Sequence, residues 1–433
     1  MLAALVVCGR TLAQAPPPVP VIVTPHGDNA PAQRDKPYVI LVSLDGFRYD
    51  YARRYGARNL QALGRRGASA PDGLIPVFPS ITFPNNYSIV TGLYPENHGI
   101  VGNNFYDPAQ RRRFVYTDRS TSADGSWYAG VPLWALAERQ GMRAACFFWP
   151  GAEAEIGGMR PTYNVPYDPR IPNERRIDQV VDWLRLPPET RPHFITLYFG
   201  DVDSAGHSTG TDSPETARAV RRIDGLIARL NAAVALLGLP VNLVVVSDHG
   251  MVNTEGPWID LQKFADLSGF QAVGALLYPP NEAAAARVYS RLRNASDKFK
   301  VYRRSQVPAG LHSSRNARIG DPVIVPAGPY LIRAYGSGDP QEVPPKGMHG
   351  YDPATMPEMR GIFYAAGPGF RAGLRLAPFE NVHLYPLMAK ILGLYADATD
   401  GDLRVLQLIL RPASEQLPAP RRPGALVPTQ PQR

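Results

Sequence analysis

The chain has 433 residues, 44% of them hydrophobic and 19% charged. That balance suits a globular protein with a large core and excludes a coiled coil or a disordered chain. The formal charge is +8: residues 1–36 carry one net positive charge and residues 413–433 two, which leaves five on the body. A mildly basic body suits a small anionic substrate by steering. No basic run interleaved with aromatics points to polymeric DNA or RNA as a partner.

In chain order, residues 2–8 form an apolar run too short to span a bilayer, followed by Ala13-Gln14-Ala15 and Pro16-Pro17-Pro18. An apolar segment before an A-x-A site predicts a signal peptide over residues 1–15, although its charged start is missing. The expected location is periplasmic or secreted, with no membrane span. Of Cys8 and Cys146, the mature chain would keep only Cys146, so no intramolecular disulfide is expected. Residues 16–36, rich in Pro, Asn, Asp and Gln, read as a linker, and residues 413–433 as a Pro-rich disordered tail. Residues 37–412 between them read as one catalytic domain without repeats, expected to be a monomer.

Within that body, the apolar runs 38–44 (YVILVSL), 144–149, 194–199 (FITLYF), 243–247 and 361–366 read as buried strands of a parallel sheet. A helix is predicted from Ser213 as N-cap and Pro214 as first residue to a stop at Gly238. Val220, Ile223, Ile227, Leu230, Val234 and Leu237 keep one of its faces apolar. Alternating strands and helices predict an α/β fold: a doubly wound, mostly parallel central sheet with helices on both faces and a smaller insertion.

Polar residues fall where such a sheet binds ligands. Asp45 follows the first strand, Asp201 and Asp203 follow FITLYF, and Asp248-His249 follows LVVVS, all at carboxyl ends. With His207 and His349 these give three carboxylates (Asp45, Asp203, Asp248) and three imidazoles (His207, His249, His349). Mixed oxygen and nitrogen donors favour zinc or a similar first-row ion over calcium or magnesium. Each residue alone also reads as a turn, cap or loop residue; their joint placement after strands is the signal. Asp201, two residues before Asp203, reads as a cap or a support.

Six motifs occur in order: Ser43-Leu44-Asp45-Gly46, Phe78-Pro79-Ser80-Ile81-Thr82-Phe83-Pro84-Asn85, and Thr91-Gly92-Leu93-Tyr94-Pro95-Glu96-Asn97-His98-Gly99-Ile100. Asp203-x-x-Gly206-His207, Ser247-Asp248-His249-Gly250-Met251 and His349-Gly350-Tyr351-Asp352 complete the set. Together they resemble the nucleotide pyrophosphatase/phosphodiesterase family of the alkaline phosphatase superfamily, over roughly residues 37–395.

The resemblance implies two Zn²⁺ ions per chain. One would be held by Asp203, His207 and His349; the other by Asp45, Asp248 and His249, with the Thr82 hydroxyl. Thr82 would be the nucleophile and form a phosphothreonine, and Asn103 with the Thr82 backbone amide would donate to a phosphate oxygen. Asn104 is the alternative donor. The segments Trp149-Pro150-Gly151 and Arg160-Pro161-Thr162-Tyr163 resemble the family stretch that carries an aromatic near the base, so Tyr163, and Tyr198 at a strand end, are expected to bind substrate. The implied reaction cleaves a nucleotide phosphodiester or phosphoanhydride at the α-phosphorus and releases a nucleoside 5′-monophosphate. A glycerophosphodiester or choline phosphodiesterase with the same machinery is the rival, and a non-catalytic phosphoryl-binding module the alternative outside enzymes.

Overall fold

The computed structural model of the protein describes residues 18–336, 339 and 342–412. The predicted signal peptide and tail lie outside these residues. Nine strands form one sheet: β1 (Ile22–Val23), β2 (Tyr38–Leu44), β3 (Ala68–Ser69), β4 (Ala144–Phe147), β5 (Tyr163–Val165), β6 (Phe194–Phe199), β7 (Val241–Val246), β8 (Phe363–Ala366) and β9 (Leu374–Arg375). Their spatial order is β1-β5-β4-β6-β2-β7-β8-β3-β9. The run from β5 to β7 is parallel, and β1 and β8 join it antiparallel.

Eight helices matter here: α1 (Arg58–Arg66), α2 (Thr82–Thr91), α3 (Leu133–Arg139), α4 (Asn173–Arg185), α5 (Asp201–Thr209), α6 (Pro214–Ala235), α7 (Glu282–Leu292) and α8 (Leu384–Leu392). β2 shows why its residues form a central strand. All seven are buried, because helices cover both faces of the sheet. Successive side chains alternate: Val39 and Leu41 pack into a core shared with α2, α3 and α8, while Ile40 and Val42 pack with α1, α4 and α6. The predicted N-cap of α6 is present, its Ser213 Oγ accepting the Thr216 N–H at 3.0 Å. A third apolar cluster, including Leu261, Phe270, Val288 of α7 and Ile324, lies between Asp248-His249 and His349 in sequence. It is the smaller insertion.

Three expectations are corrected. Residues 18–36 do not behave as a linker: Ile22 and Val23 pair with Asn164 and Tyr163 as an edge strand. Asn29 is buried there, donating to the carbonyls of Pro188 and Arg191 and accepting the Arg143 N–H. Composition misleads because its asparagine satisfies buried backbone groups instead of facing solvent. The run 361–366 yields β8, which is antiparallel to β7, since an apolar run carries no sign of direction. The run 144–149 stops at Phe147, because Phe148 turns to a left-handed φ of 63°. Cys146, the only cysteine among the described residues, is buried in β4, where burial pushes its thiol pKa far up.

Candidate active site

The carboxyl ends of β2, β6 and β7 deliver most of the polar set to one place. Asp45 follows β2, Asp248 and His249 follow β7, and Asp203 and His207 stand one turn apart on α5, which begins two residues after β6. Gly46 makes the convergence possible. It has φ of 66°, and a Cβ there would lie 2.8 Å from the Asp203 Cα. The Asp203 N–H also donates to the Asp45 carbonyl at 3.1 Å, so the two loops are joined by backbone.

The donor atoms of Asp45, Asp248 and His249 lie within 4.8 Å of one another, as do those of Asp203, His249 and His349. His207 belongs to the second group, its Nε2 being 3.3 Å from Asp203 Oδ1 and 3.2 Å from His349 Nε2. Asp45, Asp248, His249 and His349 are all buried. Each histidine is held from behind. Nδ1 of His207, His249 and His349 lies 2.8, 2.9 and 3.0 Å from the carbonyls of Gly347, Gly250 and Ser80. A carbonyl only accepts, so each Nδ1 donates and each Nε2 faces the centre, where a ring without a proton on Nε2 has a lone pair for a metal.

Lone pairs and carboxylates so placed repel one another unless a cation lies among them. Oδ1 of Asp45 and Oδ1 of Asp203 are buried without a hydrogen-bond partner, as metal-ligand oxygens would be before the ion binds. Burial pushes the Asp45 carboxyl well above its usual range, and the charges of Asp248 and Asp203 push it further. Burial and Asp203 raise Asp248 to about 7. Burial acts in the same sense on Asp203, but His207 and His349 outweigh it and hold that carboxyl at about 2. The residues therefore fit divalent metal.

Thr82 opens α2, with its Oγ1 3.3 Å from His249 Nε2. The first turn of a helix leaves its N–H groups without intrahelical partners, so the Thr82 amide can serve a ligand. Asn103 accepts the Phe83 N–H on its Oδ1 at 2.9 Å, which leaves its Nδ2 as the group with hydrogens to offer. Asn103 lines the cleft beside Thr82; Asn104 does not. Asn86, unmarked in the sequence reading, donates from Nδ2 to Asp248 Oδ2 at 2.8 Å and to the Thr82 carbonyl at 3.1 Å. Its position four residues after Thr82 on one helix was the available signal.

A cleft of about 590 Å³ opens over this centre. Its walls are aromatic: Phe83 and Tyr116, 5.5 Å apart between ring centres, and Tyr167, 5.1 Å from Phe148. Tyr198 lines the cleft, but its hydroxyl donates to Asp45 Oδ2, so it positions a carboxylate as well as forming wall. Tyr163 is a correction. It begins β5, away from the carboxyl end, donates to the Thr190 carbonyl at 3.0 Å, and stacks at 6.1 Å on Trp183. The aromatic that reaches the cleft is Tyr167, beyond that strand's end. Asp201 stands outside the centre, accepting both of its hydrogen bonds from Asn173 Nδ2.

Residues 39–352 match the family described as type I phosphodiesterase / nucleotide pyrophosphatase. The chain belongs to this family. It is 37% identical over 388 residues to an uncharacterized pyrophosphatase/phosphodiesterase of Schizosaccharomyces pombe, covering 84% of this chain and 78% of that one. It is 34% identical to human ectonucleotide pyrophosphatase/phosphodiesterase family member 7, covering 92% and 90%. Of human member 1 it spans only 42%, at 35% identity over 88% of this chain. Among solved structures, murine ectonucleotide pyrophosphatase/phosphodiesterase 5 superposes with a TM-score of 0.81 at 29% identity, over 87% of this chain and all of that one. That structure is an inactive threonine-to-alanine variant in complex with AMP. This member of the family is thus a hydrolase acting as a phosphodiesterase/nucleotide pyrophosphatase of a metal-dependent family, with the alkaline phosphatase-like fold. No helix among its described residues is long and apolar enough to cross a membrane.

Proposed function

We propose that the protein attacks the α-phosphorus of a nucleotide with Thr82 and releases a nucleoside 5′-monophosphate. The observation that carries this reading is the Thr82 hydroxyl, 3.3 Å from His249 at the mouth of a buried carboxylate and imidazole cluster. That the related murine protein is inactive as a threonine-to-alanine variant, and that this variant is found in complex with AMP, supports a threonine and a nucleotide in this reading. Asp45, Asp248 and His249 would hold one Zn²⁺ and Asp203, His207 and His349 the other, with His249 also in reach of the second group. Bound there, the ions would favour the threonine alkoxide and offset charge on the leaving oxygen.

The chain's own residues do the rest. Thr82 Oγ1 gives up its proton to solvent and forms the bond to phosphorus as the bond to the leaving group breaks, which for ATP departs as pyrophosphate. The Thr82 amide and Asn103 Nδ2 donate to a non-bridging oxygen whose charge rises in that step. Phe83 and Tyr167 offer faces to the base, and Tyr198 keeps Asp45 in place. Water then cleaves the phosphothreonine and restores the hydroxyl.

The test is steady-state hydrolysis of ATP by zinc-loaded protein with the products separated. AMP plus pyrophosphate is expected; ADP plus phosphate would overturn attack at the α-phosphorus. A choline phosphodiester is the second reading. It is favoured by the aromatic walls, which suit a quaternary ammonium. Activity on glycerophosphocholine without turnover of ATP would select it. Export to the periplasm or medium rests on the leader-like residues 1–15, and a monomer on the single catalytic body.

A further inference from the structure

At the edge of the sheet opposite β1, a cavity of about 540 Å³ lies between the turn after β2, α1, β3 and β9. Arg53, Arg65 and Arg375 line it, together with Tyr49, Tyr364 and Ser69. None of the residues that form the active centre belongs to it.

The neighbouring arginines have partners. Arg48 binds Asp50 and Arg54 binds Asp212. Among the described residues, Arg53, Arg65 and Arg375 have no carboxylate within ion-pair distance. The one acid on the cavity wall, Asp50, is already engaged, accepting from Arg48 Nε at 2.6 Å and Nη2 at 2.9 Å.

The last turns of the short helix Tyr51–Arg54 and of α1 account for Arg53 and Arg65 singly, since cations are favoured there. They do not account for Arg375, which sits on β9 opposite Ser69 of β3, nor for three exposed arginines without ion-pair partners lining one concavity. The floor is also close-fitted: a Cβ on Gly64 would lie 2.9 Å from Tyr364 and 3.0 Å from Ser69.

Guanidinium forks match the oxygens of phosphate and sulfate groups, and hydroxyls of tyrosine and serine can add donors. The volume lies within the range of small-molecule sites, about 300–1,000 Å³. We propose that this cavity is a second, non-catalytic binding site for a small metabolite carrying two or more phosphate or sulfate groups.

Fructose 1,6-bisphosphate is the probe, because it holds two phosphomonoesters and no diester to hydrolyse. Calorimetric titration of the metal-loaded full chain should give saturable binding. R65S/R375S should weaken it at least tenfold while diester hydrolysis stays at the wild-type rate. Both arginines are exposed, and an unchanged melting temperature will verify the fold. R287S/R291S removes the same charge from exposed positions of α7 and should bind as wild type. Absence of wild-type binding, undiminished binding by R65S/R375S, or equal loss in both double variants would each overturn the proposal. Vesicles of phosphatidylcholine with phosphatidylinositol 4,5-bisphosphate separate the sources. Sedimentation of wild type but not R65S/R375S would assign a lipid headgroup, and no sedimentation a soluble anion.

Discussion

The metal-ligand centre and the walls of the cleft above it are built to opposite rules. In the centre, Asp45, Asp248, His249 and His349 are buried, and each is fixed by a second group behind it. On the walls, Tyr167 is 58% exposed and Tyr116 42%, and Arg119 faces solvent beside Glu153 at 2.7 Å. Chemistry needs atoms held to within tenths of an ångström. Recognition of a flat ring tolerates a movable aromatic face. A change in the centre should therefore alter turnover, whereas a change on the walls should alter which substrate is bound.

The sharpest way to break this contrast is Thr82→Ala. It should lower kcat by at least about 10³-fold while metal content, read by atomic absorption, stays near wild type. Retained turnover would remove Thr82 as nucleophile. Asn86→Ala comes next, because it strips Asp248 Oδ2 of its side-chain hydrogen bond without removing a ligand residue. Metal affinity should fall about 10–100-fold in a chelator competition, and unchanged affinity would show that Asp248 is held well enough by the Gly46 and His249 amides.

The smallest effects compare two tyrosines four residues apart. Tyr167→Ala should raise KM by the loss of about 1–3 kcal/mol of stacking and leave kcat little changed. Tyr163→Phe should leave both constants alone and cost about 1 kcal/mol of stability through the lost bond to Thr190. A raised KM in the second variant, and not the first, would restore Tyr163 to the cleft.

That pair also marks how far the sequence could be read. Asp45, Asp203, Asp248 and His249 were legible because each stands just past an apolar run, and a parallel sheet gathers strand ends. His349 lies on a loop past no long apolar run, so it joined the set by residue type, and its assignment to one metal rested on motif resemblance. The cleft walls were harder. Phe83, Tyr116 and Tyr167 come from a helix start and two loops, where no period ties a residue to a face. Tyr163 looked loop-like between Thr162 and Asn164, yet long-range pairing to β1 and β4 makes it a strand residue. Pairing across more than a hundred residues leaves no local trace, which is also why residues 18–36 read as a linker.

Cys146 offers a clock for the opening of this sheet. Its strand β4 lies between β5 and β6, and its thiol has no exposed surface in the closed fold. An alkylating reagent can reach it only when neighbouring strands part, and while it stays buried its raised pKa leaves almost no thiolate to react. The rate of alkylation under native conditions then measures how often the middle of the molecule comes apart. Comparing that rate with and without bound metal would show how firmly the ions pin together the loops that rise from β2, β6 and β7.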